Sequence, residues 1–400
     1  MTDTGQAQEP ASEAERLDVD TLLDDPRTRI VVCCGAGGVG KTTTAAALAL
    51  RAAERGRRTV VITVDPARRL AQSMGVAELD NTPRPVPLPP PAEGAPSGTA
   101  AGSLDAMMLD MKRTFDEVVR EHADPERARQ ILANPFYQTL ATGFSGTQEY
   151  MAMEKLGQLS QSGEWDLIVV DTPPSRSALD FLDAPERLGR FLDGKLIKFL
   201  SPAGTGAFRL LGAGMNMVGS VVGKIVGTRF LSDLRSFVSA FDAVFGGFQE
   251  RAERTYRLLR TSGTAFVVVA TPDTDALREA SYFIERLDRD SMPLAGLVVN
   301  RTHPLPPGPG AELDAERALE AATTLEEAGT HPLTVAALRL HAQRVRTHER
   351  ERLSRERTLS AHPNVRVAEV AARVEDVHDL TGLREIGASL AGGGPISRGR

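Results

Sequence analysis

Cysteine is nearly absent from this 400-residue chain: Cys33 and Cys34 are the only two, and they are neighbours in an apolar run. Adjacent thiols cannot build a disulfide framework, and their scarcity suggests a reducing compartment. Long hydrophobic runs are missing too. The longest uncharged stretch of the apolar middle, residues 210–223, has 14 residues, short of the roughly 20 that a membrane-spanning helix needs. Positive charge is not in excess. The 47 Lys and Arg stand against 53 Asp and Glu, a formal charge of -6, so nothing global points to nucleic acid, although a local patch stays open. The seven histidines form no HExxH or Cys/His spacing, so a catalytic transition metal is not supported. The opening MTDTGQAQEPASEAERLD is polar and acidic, unlike a secretory or transit peptide. It is expected to belong to a disordered tail over residues 1–26. The expected location is cytoplasmic, with a peripheral position at a membrane left open.

What the chain does have is a series of short, β-branched apolar runs bounded by turn residues. They fall at residues 30–34, 59–64, 167–170, 265–270, 294–299 and 365–370, with a candidate seventh at 104–110. Such runs read as strands buried on both faces. Helical patterns over 43–55 and 275–289 lie between them, which is the βαβ alternation of a mainly parallel sheet flanked by helices. Residues 112–163 and 184–262 are helical in pattern and interrupt the series as an inserted α-helical subdomain. A third insertion, 303–360, begins in a Pro/Gly turn and continues as charged helix. Residues 82–103 are so rich in Pro, Gly, Ala and Ser that a mobile surface loop is expected. No repeat of solenoid length is present. The expected organisation is one α/β domain over 27–390, followed by a flexible tail over 391–400.

The chemistry concentrates after the first run. Gly35-Ala36-Gly37-Gly38-Val39-Gly40-Lys41-Thr42 fits the phosphate-binding pattern G-x-x-x-x-G-K-[ST], and it has the required context of a strand before it and a helix after it. The glycines let backbone N–H groups curl around phosphates, the helix adds its dipole, Lys41 reaches the β and γ oxygens, and the Thr42 hydroxyl suits Mg²⁺. The second run ends in Asp65-Pro66-Ala67-Arg68-Arg69 and the third in Asp171-Thr172-Pro173-Pro174. Each places a carboxylate at the carboxyl end of a strand, beside the loop if the strands are neighbours. Asp171 is then the acid that holds Mg²⁺. Asp65 is the candidate to orient and deprotonate an attacking water.

The spacing of the P-loop, DPARRL and DTPPSRSALDFLDAP, with GTQEYMAMEKL before and VVNR after, resembles the ArsA/Get3 family of P-loop ATPases. That resemblance implies Mg-ATP as the ligand and the backbone of Gly35, Gly37, Gly38, Val39, Gly40, Lys41, Thr42 and Thr43 as its cradle. It also implies Asp65 as the catalytic aspartate, Asp171 at the head of the second switch, and Asn300 as the reader of adenine. A dimer that opens and closes with ATP is part of the same implication.

Two departures qualify it. Where the family usually carries a first lysine that crosses to the partner's phosphates, this chain has Ala36. A methyl group supplies no charge, so either Arg68, Arg69 or Arg176 substitutes, or a lysine-bearing paralogue completes a heterodimer; the arginines also read as ordinary surface ion pairs. The cysteines that would bind arsenite or a bridging zinc in the helical region are missing, which argues against arsenite pumping. Residues 195–248 mix Leu, Phe, Met and many glycines with few charges, which suits either promiscuous binding of hydrophobic segments or plain helix packing. Between Arg339 and Arg357 there are seven arginines against three glutamates, a solvated helix face or a docking patch. The expected function is an ATP-driven dimeric switch that handles a hydrophobic or membrane-protein client. The alternatives are the ATPase subunit of an anion transporter and a spatial organiser of the ParA/MinD kind.

Overall fold

The structure, a computed structural model, describes residues 15–65, 69–88, 102–135, 137–138, 147–173, 248–305 and 313–392, with the backbone alone given for 147–150 and 248–249. Eight strands form one sheet in the order β3-β4-β2-β5-β1-β6-β7-β8. In chain order they are β1 (Ile30–Gly35), β2 (Arg58–Thr63), β3 (Arg84–Pro85), β4 (Ser103–Met108), β5 (Leu167–Asp171), β6 (Thr264–Ala270), β7 (Leu294–Thr302) and β8 (Val367–Ala371). All neighbours run parallel except the short β3, which is antiparallel to β4. The sheet and its helices are those of an α/β P-loop protein.

The four central strands are buried along nearly their whole length, the burial that continuous apolar runs require of a parallel sheet covered on both faces. Helix α1 (Val19–Asp24) precedes β1, and α2 (Lys41–Glu54) follows the P-loop. Eight apolar residues of α2, Ala45 to Leu50 with Ala52 and Ala53, are buried. Small side chains there let the helix lie close to both the sheet and α11 (Leu380–Gly392), where a Cβ on Gly387 would stand 3.3 Å from the Ala47 carbonyl. Between β2 and β5 come α3 (Arg69–Ser73), α4 (Met111–His122), α5 (Pro125–Ala133) and α6 (Thr147–Ser162). Then follow α7 (Phe248–Leu259), α8 (Thr274–Arg289), α9 (Ala315–Glu327) and the 30-residue α10 (Pro332–Ala361). Each of α4, α5, α8 and α9 starts at an aspartate whose side chain accepts a bond from a first-turn N–H, the ordinary N-cap that satisfies a helix's orphan donors.

Three expectations change. Residues 15–26 are ordered: Leu17, Val19 and Leu23 are buried, Leu17 N–H donates to the Val367 carbonyl, and Asp20 and Asp24 pair with Arg51 of α2 and with Arg55 at its C-cap. Three apolar anchors in a charged segment are enough to dock it. The Pro-rich stretch 82–103 contributes β3 and the first residue of β4, with Val86 buried; its residues 89–101 lie outside those described. In α10, Arg339, Arg352 and Arg355 pair with Glu326, Glu356 and Glu369, so part of the basic run serves the fold. The apolar stretch 195–248, for all but its last residue, falls outside the described residues.

Candidate functional site

The P-loop turns from the end of β1 into α2. Gly40 sits at φ 98°, and a Cβ there would lie 2.2 Å from Asn300 Nδ2. Only glycine permits both the left-handed backbone and that approach. Helix α2 has no side-chain cap at its start, which leaves its first N–H groups directed to the loop. Lys41 is buried, and its Nζ donates to the Ala36 carbonyl at 2.8 Å. Burial lowers its pKa below the usual lysine range, opposed chiefly by the charge of Asp171.

Asp171 is fully buried at the end of β5. The hydroxyls of Thr42 and Thr63 both donate to its Oδ2, each at 2.8 Å, and its Oδ1 is buried without a hydrogen-bond partner. Burial pushes this carboxyl up to about 6, although Thr42, Thr63 and Lys41 pull the other way. Strand order explains the meeting: β5 lies between β1 and β2, so the carboxyl ends of all three strands converge. Thr172 fastens the junction, its hydroxyl donating to the Cys33 carbonyl at 2.8 Å. The two cysteines are buried beneath the loop; burial raises Cys33 far above the ordinary thiol range and pushes Cys34 up to about 12. They are protonated packing groups rather than nucleophiles.

Above this floor opens a cleft of about 460 Å³. Its walls bring together Gly38, Gly40, Lys41, Thr42, Thr43, Asp65, Arg69 and Thr172, residues far apart in sequence. Asp65 follows β2, and its N–H donates to Thr63 Oγ1 at 3.2 Å. Asn300 is not part of the lining; its Nδ2 donates to the Val39 carbonyl at 2.8 Å. Arg68 and Arg176 lie outside the described residues. Other contributors escaped sequence reasoning, Gln72 and Ser73 of the cleft wall among them. Thr63 is a second hydroxyl on Asp171, Arg301 reaches the loop from β7, and Asp376, Val377 and His378 close the cleft from the segment after β8. Arg301 belongs to VVNR, but nothing in that pattern gives its direction, and no pattern singles out Thr63 or Asp376 to His378; their meeting depends on how the chain folds around the loop.

The family model of the anion-transporting ATPases matches residues 28–350. The chain belongs to that family. The anion-transporting ATPase relatives include ATPase GET3 of Malassezia globosa, 26% identical over 302 residues that cover 75% of this chain and 80% of that protein. ATPase GET3B of Arabidopsis thaliana is 27% identical over 324 residues, 75% of this chain and 70% of the relative. A protein of Halobacterium salinarum named as an arsenical pump-driving ATPase is 29% identical over 226 residues, 52% of this chain and 33% of its own length. This anion-transporting ATPase family member is therefore an ATPase, as its P-loop motif led one to expect. No helix among the described residues is long and apolar enough to cross a membrane.

Proposed function

We propose that this ATPase binds Mg-ATP over its P-loop and works as a dimeric switch, with the apolar stretch 195–248 as a client-binding region. The observation that supports the nucleotide site best is the arrangement at Asp171, where two hydroxyls hold one carboxylate oxygen and the other stays buried and unpartnered. A hard divalent cation fits this donor set, because oxygen ligands suit Mg²⁺ and a cation offsets the cost of a buried anion. Thr42 and Asp171 would hold it; when bound, the ion neutralises charge on the terminal phosphates.

The chain supplies the rest. Backbone N–H groups from Gly35 through Thr43, Gly37 and Val39 included, wrap the phosphates. Lys41 exchanges the Ala36 carbonyl for phosphate oxygens. Asp65, facing the same cleft, orients a water and takes its proton as the oxygen attacks the γ phosphorus, with ADP as leaving group. Asn300, anchored on Val39, reads the adenine. Clients with hydrophobic or membrane-spanning segments suit the composition of 195–248.

Asp171 gives one test. Its raised folded-state pKa means that folding favours the protonated form. Stability therefore falls as pH rises from near 3.8 to about 6 and stays lower above, a cost of about 3 kcal/mol at neutral pH. Asp171→Asn is expected to melt higher than the parent at pH 7.5, and by a smaller margin at pH 5. It should also lose the further stabilisation that Mg-ATP gives the parent. A variant that melts lower, or that keeps the Mg-ATP shift, contradicts the assignment.

The dimer is tested separately. Ala36 brings no cation to any partner, so we expect the chain to pair either with itself or with a lysine-bearing paralogue. Native mass spectrometry of the Asp65→Asn protein, recovered from its own cells in Mg-ATP, should find a dimer. A second ATPase in the complex assigns the paralogue, and two identical chains assign the cation to this sequence. An ATP-bound monomer overturns the switch.

A further inference from the structure

Consecutive side chains of a strand point to opposite faces of its sheet, so Asn300 and Arg301 should not reach the same loop. In this structure they do: Asn300 Nδ2 donates to the Val39 carbonyl at 2.8 Å, and Arg301 Nη1 donates to the Gly38 carbonyl at 3.2 Å. The cause is an irregularity at the end of β7. Against β8 the register pairs Asn300 with Val370 and then Thr302 with Ala371, which leaves Arg301 out. Arg301 adopts φ 61°, a left-handed backbone that disfavours side chains other than glycine. Extra residues in a strand re-aim side chains, and here the extra residue turns a cation onto the P-loop. Backbone strain of this kind persists where the surrounding structure has a use for it.

Two carbonyls of the loop thus carry cations, Ala36 through Lys41 and Gly38 through Arg301. A guanidinium has five N–H donors in a planar fork suited to phosphate, and one carbonyl engages a fraction of them. Arg301 lines the nucleotide cleft beside Lys41, Thr42 and Asp65. It also borders a neighbouring cleft of about 430 Å³, which gives a long side chain room to swing.

We propose that Arg301 is a second phosphate-binding cation of this ATPase, exchanging the Gly38 carbonyl for an oxygen of the terminal phosphate when ATP enters. The inference rests on the nucleotide site assigned above. It gives this chain, within its own site, a charge that Ala36 does not provide.

The test is calorimetric titration of the full chain in Mg²⁺ with ADP and with a non-hydrolysable triphosphate analogue, for the parent, Arg301→Gly and Arg301→Lys. A charge-assisted contact to the γ-phosphate predicts that Arg301→Gly binds the triphosphate about 10- to 100-fold more weakly and changes ADP affinity by less than about 3-fold. Lysine should restore part of the difference. Glycine suits the left-handed backbone, so the unfolding temperature of Arg301→Gly should stay within a few degrees of the parent. That separates lost contact from lost fold. Equal loss for both nucleotides would make Arg301 a brace for the loop, and no loss would make it a bystander; either result overturns the proposal. A parent that binds neither nucleotide would overturn the site assignment itself, a failure distinguishable from the other two.

Discussion

Replacing Asp65 with asparagine is expected to slow ATP turnover about 10²- to 10⁴-fold, the usual contribution of a positioned general base, while ATP affinity changes by less than about 3-fold. Asparagine keeps the shape and much of the hydrogen bonding of aspartate but cannot accept a proton at neutral pH. The backbone N–H of residue 65, rather than its carboxylate, is what ties the position to Thr63 Oγ1, so that anchor survives the change. Single-turnover hydrolysis beside equilibrium ATP binding separates the two effects. Undiminished turnover would remove Asp65 from the chemistry. A matching loss of affinity would make it a phosphate-site strut instead.

Lys41→Met should act on binding itself. The ammonium is the cation at the base of the loop, and removing it is expected to weaken ATP binding at least about 100-fold, roughly 3 kcal/mol or more for a charge-assisted phosphate contact in a buried site. Stability without nucleotide should move the other way or not at all. Lys41 is 6% exposed and burial depresses its pKa, so the fold bears the cost of holding a charge there, a cost that methionine of similar length does not impose. Thermal unfolding with and without Mg-ATP reads both quantities. A variant that melts well below the parent would show that the bond to the Ala36 carbonyl holds the loop together. A variant that retains the ATP-induced shift would displace Lys41 from the phosphate site. With Asp65→Asn, the pair divides the site into binding and chemistry.

How far the sequence led depends on whether a feature is local. The strands at 30–34, 167–170 and 265–270 are continuous apolar runs, and the structure has strands Ile30–Gly35, Leu167–Asp171 and Thr264–Ala270. The P-loop was legible because its glycines, Lys41 and Thr42 sit within eight residues. Thr63 was not. It looks like any β-branched strand residue, and its bond to Asp171 exists only because β2 and β5 are neighbours. Leu17, Val19 and Leu23 were hidden in a window whose average is polar, although three buried side chains outweigh that average. Arg301 was in plain view within VVNR, yet its direction depends on one unpaired residue in β7, which no alternating pattern announces. Sequence order gave the parts of the site, and strand order decided which of them meet.

The stretch before β1 has a further consequence. Strand β8 is the last in the sheet, and its outer side meets residues 15–17: Val367 N–H donates to the Glu15 carbonyl, and Leu17 N–H donates back to Val367. Unpaired strand edges recruit strands from other molecules and begin aggregation. The molecule's own leading segment occupies the start of that edge, held by Asp20 and Asp24 to the helix that begins at the phosphate loop. Trimming it away as dispensable would uncover backbone at Val367 and break three ion pairs to Arg51 and Arg55 at the end of α2 at once. The cover on that strand edge and the footing of the helix after the P-loop thus rest on the same dozen residues.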